Sequence, residues 1–343
     1  ADKTLCLWRL PSVKDEVEDP SASAPVSEMG NVKHLKRIRS MAFSPDGKIL
    51  ATGGEDKKLH LWDGNTGRLL WTLPGIEETV ANLKFSPDGK LLATVECGEK
   101  NAVKVWQLAQ QGGNWKATLK WQAEIDVSPF AALDFSPDGR VLASNPGLLW
   151  EADTGKEVRR LDAPTMDLAF GRLPPDGTVK PRQTVLATVA HDLKLRLWDP
   201  ASGKLLQELD HGIRLNAVAF SPDGSLVASA GDTWSTGPGS IKLWDARTGT
   251  LKATLNGHPQ GIESIAFSPD GSLLASGGMI GEVVLWDMAT MGRERDTLHN
   301  QEARIEVVFC PTSGLLATAY SQVRFGPRTG VVQPPDADAS PED

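Results

Sequence analysis

At 343 residues the chain is longer than an ordinary single domain of about 100–200 residues, so it is either multidomain or built from a repeat. Hydrophobic residues make up 40% and charged residues 23%; no apolar run reaches the roughly 18–20 residues that span a bilayer, and no basic leader with an apolar stretch is visible, which points to a cytoplasmic protein without a membrane partner. The formal net charge of −8 repels phosphate at long range and weighs against general nucleic-acid binding, while Cys6, Cys97 and Cys310 form no CxxC pair, which weighs against a disulfide framework or thiolate metal site and fits a reducing compartment.

In chain order, Thr4–Leu10 (TLCLWRL) reads as a strand ending at Trp8. Residues 11–30 are polar, acidic and rich in Pro and Ser, and read as a linker. Residues 31–333 then repeat. Phe-Ser-Pro-Asp-Gly occurs at 43–47, 85–89, 135–139, 220–224 and 267–271, with degraded copies at Phe170–Gly177 and Phe309–Gly314. The phenylalanines are 42, 50, 35, 50, 47 and 42 residues apart. Each is followed by a second aromatic: Trp62, Trp106, Trp150, Trp198, Trp244 and Trp286, with Phe325 in the last place. Asp63, Asp199, Asp245 and Asp287 come next, and turns such as Thr66–Gly67 and Thr248–Gly249 follow.

Each unit predicts four short strands. In the sixth, Ile262–Phe267 is the first strand and Ser268–Gly271 the turn: Pro presets φ, Asp caps its own backbone and Gly is free to take positive φ. Leu273–Ser276, Glu282–Trp286 and Arg293–Leu298 are the remaining three. Two residues before each Phe stand Met41, Leu83, Leu133, Leu168, Val218, Ile265 and Val307, a period-two pattern with one buried face. Ala42, Ala169, Ala219 and Ala266 immediately precede the Phe, as suits strands converging on a narrow axis. Residues 334–343 (PPDADASPED) predict a disordered acidic tail.

Repeated in register over residues 30–333, these motifs resemble the WD40 family. The resemblance implies an all-β, seven-bladed propeller with four antiparallel strands per blade around a channel. It also implies that the N-terminal strand closes the ring against the last blade. The alternatives are that Trp8 belongs to an upstream blade of a longer array, or that Val331 and Val332 supply the last outer strand. A buried tetrad is implied too, and in the first unit it maps to His34, Thr52, Asp56 and Trp62. The fifth unit offers His211, Ser229, Asp232 and Trp244; the sixth offers His258, Ser276 and Trp286, with Ile280 where Asp is expected. His191–Asp192 reads as a tetrad remnant rather than a catalytic dyad. The first blade is therefore expected to be better braced than the third or seventh.

No nucleophile elbow, HExxH motif or phosphate loop occurs, so no catalytic residue, metal or cofactor is expected. What remains is surface. By the resemblance, the loops leading into the first strands and those between second and third strands share the face where partners dock. The candidates there are Arg37, Arg39, Arg214, Asn216, Trp234, Glu263 and Arg304, with Trp234 placed in a Gly/Pro-rich insertion. The expected function is a protein-interaction scaffold or adaptor that binds proteins or peptides as a monomeric propeller, or serves as one module of a larger signalling protein. The regular turns resemble those of bacterial WD40 proteins. Two rivals are an enzyme with its active site at the channel mouth, and nucleic-acid or phosphopeptide binding through the basic run 33–39.

Overall fold

In the computed structural model, the described residues are 4–9, 36–112, 114–126, 131–162, 164–175, 182–233, 237–299, 305–313 and 315–320. All regular elements among them are β-strands. Six sheets have four antiparallel strands each, consecutive in sequence. We call them blades 1 to 6. Their first strands are Ile38–Phe43, Thr79–Phe85, Leu133–Phe135, Asp167–Arg172, Arg214–Phe220 and Ile262–Phe267. A further sheet has three strands, in the order Thr4–Arg9, Leu315–Tyr320, Glu306–Phe309. The expectation of seven four-stranded blades therefore holds for six. In the last sheet the N-terminal strand lies beside Leu315–Tyr320, from Thr4↔Tyr320 to Arg9↔Leu315, in the place a third strand would take. Phe325, Val331 and Val332, on which further strands were expected, lie outside the described residues, as do the linker and the tail.

The hairpins form where turn chemistry requires them. In the five Ser-Pro-Asp-Gly turns the Gly N–H donates to the Ser carbonyl, as in Gly47 to Ser44 and Gly271 to Ser268. Gly47 and Gly271 take φ of 70° and 73°, a region that costs a glycine nothing. The Ser hydroxyl donates to the Asp carboxylate at 2.6 Å in both, and that bond holds Asp46 and Asp270 below the usual carboxylate range.

The core is divided among the joints between sheets. Trp106 of blade 2 packs with Leu59, Leu61 and Leu73 of blade 1. Trp150 likewise faces blade 2, Trp198 blade 3, Trp244 blade 4 and Trp286 blade 5. Trp62 fills the joint between blade 1 and the three-stranded sheet with Leu315, Ala317 and Cys310. The joint between blade 6 and that sheet holds aliphatic side chains and Phe309. Neighbouring first strands touch throughout, and Glu306–Phe309 touches Ile38–Phe43, so the circle closes around an axial channel.

Each buried indole is pinned. Its Nε1–H donates to a hydroxyl on the second strand: Trp62 to Thr52 (2.8 Å), Trp106 to Thr94 (3.2 Å), Trp150 to Ser144 (2.9 Å), Trp198 to Thr188 (2.9 Å), Trp244 to Ser229 (3.0 Å) and Trp286 to Ser276 (2.8 Å). Burying an indole N–H unpaired would cost about 1–3 kcal/mol.

The groups built on this bond vary from blade to blade. In blade 6, His258 Nε2 lies 2.7 Å from Ser276 Oγ and its Nδ1 2.8 Å from Glu282 Oε1. The missing Asp at Ile280 is thus replaced from the third strand by Glu282. In blade 5, His211 bonds Ser229 (2.7 Å) and Ser240 (3.4 Å), and burial pushes its imidazole down to about 3, with nearby Lys242 adding to the fall. Asp232 lines the channel, where it accepts from Asn216 Nδ2 at 2.9 Å. In blade 4, Asp192 pairs with Arg196 rather than with a histidine. Blade 1 keeps Thr52–Trp62, and Asp56 accepts from the Lys58 N–H at 3.3 Å; His34 lies outside the described residues.

Candidate partner-binding site at the channel mouth

The first strands do not keep strict alternation. Their pairing with the second strand slips between Ile38 and Ser40, Val80 and Asn82, Leu215 and Ala217, and Ile262 and Ser264. Each slip is a β-bulge, which re-aims one side chain. The bulged residues are Arg39, Ala81, Asn216 and Glu263, each four before its landmark Phe, and all line the channel. Three of the docking residues expected from the sequence thus owe their position to a bulge.

The channel has a volume of about 630 Å³. Its mouth is lined by Arg37 and Arg39 from blade 1, His191 from blade 4, Arg214, Asn216 and Asp232 from blade 5, and Glu263 and Met279 from blade 6. Arg214 Nη2 donates to His191 Nδ1 at 2.9 Å, and His191 Nε2 lies 3.3 Å from Asn216 Oδ1. Burial, and then the Arg214 charge, hold His191 below the ordinary imidazole range, which suits a neutral ring accepting at Nδ1. Asn216 Nδ2 donates to Asp232 Oδ2 at 2.9 Å. Arg39 lies 3.6 Å from Glu55. Arg37, Arg39, Arg214, Asn216 and Glu263 are therefore gathered at one mouth. Trp234 and Arg304 lie outside the described residues.

Below the mouth stand four charged groups that the sequence reading missed: Lys84, Asp134, Asp167 and Glu306. Asp167 and Glu306 lie three residues before their Phe, Lys84 and Asp134 one before. At about 3.3 Å per residue, the wall from Arg37 to the level of Lys84 is about 17 Å deep. A signal for two of them was present, since Lys84 and Asp134 occupy the slot that holds Ala in four of the seven units.

The three carboxylates belong to a circuit of clasps, each reaching from one sheet to the main chain of the next. Ser40 Oγ accepts from Leu83 N–H (3.1 Å), and Asn82 Nδ2 donates to Ala131 O (2.9 Å). Asp134 accepts from Phe170 N–H (2.7 Å) and Asp167 from Val218 N–H (2.9 Å). Asn216 donates to Ile262 O (3.0 Å), and Ser264 accepts from Val307 N–H (3.3 Å). Glu306 closes the loop on blade 1, accepting from the Met41 backbone and from Ser40 Oγ (3.4 Å). Burial raises all three carboxyls, Asp167 to about 6 and Glu306 to about 8, against the pull of these bonds and of Lys84. Among the described residues no group of three or more His, Cys, Asp or Glu side chains stands close enough to share a metal ion, and no helix is long and apolar enough to cross a membrane.

Comparison with known proteins agrees with this geometry. The family described as "WD domain, G-beta repeat" matches residues 29–63, 67–107, 203–245 and 249–287. The chain is 28% identical over 275 residues to nuclear distribution protein PAC1 of Arthroderma otae, covering 72% of this chain and 58% of that protein. It is 27% identical over 235 residues to periodic tryptophan protein 2 of Arabidopsis thaliana, covering 65% of this chain and 24% of the relative. It is 25% identical over 317 residues to the transcriptional corepressor LEUNIG_HOMOLOG of Arabidopsis thaliana, covering 91% and 37%. The chain thus spans less than two thirds of each relative. All three are eukaryotic, so the bacterial affinity expected from the turns is not supported.

Proposed function

Because the chain belongs to the WD40-repeat family, we propose that it is a protein-interaction scaffold that docks protein or peptide partners on the face around the channel mouth. The observation that carries this is the convergence of Arg37, Arg39, Arg214, Asn216 and Glu263, from blades 1, 5 and 6, on one rim. Arg is enriched among the residues that anchor interfaces, and a rim drawn from several blades reads a partner's shape as well as its charge. Trp234 and Arg304 belong to the same face in this reading. The relatives' names fit: one is a transcriptional corepressor, and another, from Gallus gallus, is a serine-threonine kinase receptor-associated protein, 23% identical over 233 residues. The three-stranded sheet serves as the seventh blade, closed by the N-terminal strand, and the propeller acts as a monomer. An enzyme at the channel mouth would need carboxylates free to act. Asp134, Asp167 and Glu306 are each committed to the main chain of the next sheet, which favours binding over catalysis.

The test is affinity capture from the source cell with the wild-type chain and an Arg39→Glu, Arg214→Glu variant. Capture is expected to fall at least about tenfold, as for loss of anchor residues. The variant should still unfold cooperatively, with a loss of about 1–3 kcal/mol from the Arg214–His191 bond and the Arg39–Glu55 pair. Equal capture by both chains would overturn the reading.

A further inference from the structure

The channel is unbalanced in charge. Its inner wall brings three carboxylates against one ammonium, so with all four ionised it carries −2, the sum of three negative charges and one positive. Lys84 acts on Asp134, Asp167 and Glu306 through space, yet among the described residues it makes no ion pair with them within 4.0 Å. Glu306 Oε2 is buried and has no hydrogen-bond partner among the described residues. The three carboxylates do not stand together as a group that could hold a metal ion. A guanidinium is planar and presents five donors, so it can reach acceptors that stand apart. The volume of about 630 Å³ lies within the usual range of ligand pockets, about 300–1,000 Å³.

We propose that the inner channel is a slot for one arginine side chain, carried by the partner segment that docks on the mouth. This rests on the docking function proposed above. The rim and the slot ask for opposite charges. Arg37, Arg39 and Arg214 at the mouth favour acidic or carbonyl groups flanking the arginine, while Asp167, Glu306 and Asp134 below receive its head. Asp232 and Glu263 on the rim offset the mouth's positive charge, and neutral His191 adds none. The slot also couples binding to protons. Burial leaves the Glu306 carboxyl protonated at pH 7, and an arriving guanidinium favours its ionised form. Binding then breaks the Glu306 O–H bond and gives that proton to the buffer, while the carboxylate pairs with the guanidinium. Affinity rises with pH up to about 8, by up to tenfold per pH unit.

The test uses the whole chain and two tripeptides, acetyl-Gly-Arg-Gly-amide and its citrulline counterpart, which keeps the shape without the charge. Titration followed by NMR should show the arginine peptide shifting signals of Asp134, Asp167 and Glu306, with the citrulline peptide leaving them unmoved. Lys84→Met removes a like charge and no hydrogen bond, and should tighten the arginine peptide at least about fivefold. Asp167→Asn keeps an acceptor for Val218 N–H and should weaken it by a similar factor. Equal binding of both peptides, shifts confined to the rim, no binding up to the solubility limit, or an unchanged affinity in Lys84→Met would each overturn the slot. If these fail while Arg39→Glu, Arg214→Glu still loses partner capture, the docking face stands and only the slot falls.

Discussion

Blades 2 and 6 hold the same tryptophan with different chemistry. In blade 6, Trp286 donates to Ser276, which is held by His258, and Glu282 holds the far side of the imidazole. Blade 2 has no histidine at this place. Trp106 donates to Thr94, and Lys104 lies over the indole, 6.0 Å from its centroid. Lys104 Nζ pairs with Glu96 Oε2 at 3.0 Å, both buried, and Glu96 also accepts from the Glu77 N–H at 3.3 Å. Both blades thus end a buried polar chain on a carboxylate. The comparison teaches that the indole–hydroxyl bond is the fixed unit. The group above it is exchangeable: an imidazole backed by Glu282 in blade 6, an ammonium backed by Glu96 in blade 2.

The largest expected effect tests that fixed unit. Trp106→Ala and Trp286→Ala should each cost about 3–5 kcal/mol in denaturant unfolding, because each opens a joint between blades. Unequal losses, well outside that range for one blade, would break the equivalence. Next comes the exchangeable part. Glu96→Leu alone should cost about 3–5 kcal/mol by leaving Lys104 buried and unpaired, while Glu96→Leu with Lys104→Met should be close to neutral. A double variant as unstable as the single would mean that the ion pair does more than brace Trp106.

In blade 6, Ser276→Ala strips both Trp286 and His258 of a partner and should cost about 1–3 kcal/mol. Blade 5 sharpens the contrast through pH. His211 is kept neutral down to about 3 by burial and by Lys242. A folded value below the unfolded one means that its contribution is intact above about pH 6.5 and is lost as pH falls toward 3. Thermal melts across that window should show His211→Gln losing less on acidification than the wild type. The smallest effect belongs to Asp270→Ala, about 1 kcal/mol from one exposed turn, and it should be the same whichever tryptophan network is weakened beside it.

Much of this was legible in the sequence for a physical reason. The Phe, the Ser-Pro-Asp-Gly turn and the Trp each meet a local demand that recurs in every blade, so they repeat at readable intervals. The hydroxyls under Trp62, Trp106, Trp150, Trp244 and Trp286 all stand nine residues after their Phe, an extension of the same pattern. Glu282, Glu96 and Lys104 escaped because their contacts run across strands and no interval marks them. The channel escaped for a related reason. Alternation was read from positions two before the Phe, but the bulges at Arg39, Asn216 and Glu263 shift the pattern by one residue just where the strand meets the mouth. Asp232 stands beside the insertion that precedes Trp244, and its place in the channel wall has no fixed interval from the Phe to mark it.

The six clasps that run from blade 1 round to the three-stranded sheet grip main chain and no particular side chain of the neighbour; only Glu306, which closes the ring, also takes the Ser40 hydroxyl. Such a fastening makes no demand on which blade comes next, only that it offers an amide or a carbonyl at the right height. A copied blade could therefore be spliced in or exchanged without a matching change in its neighbours. A channel residue that makes no such clasp among the described residues, Lys84 for one, is free to be chosen for what passes along the axis.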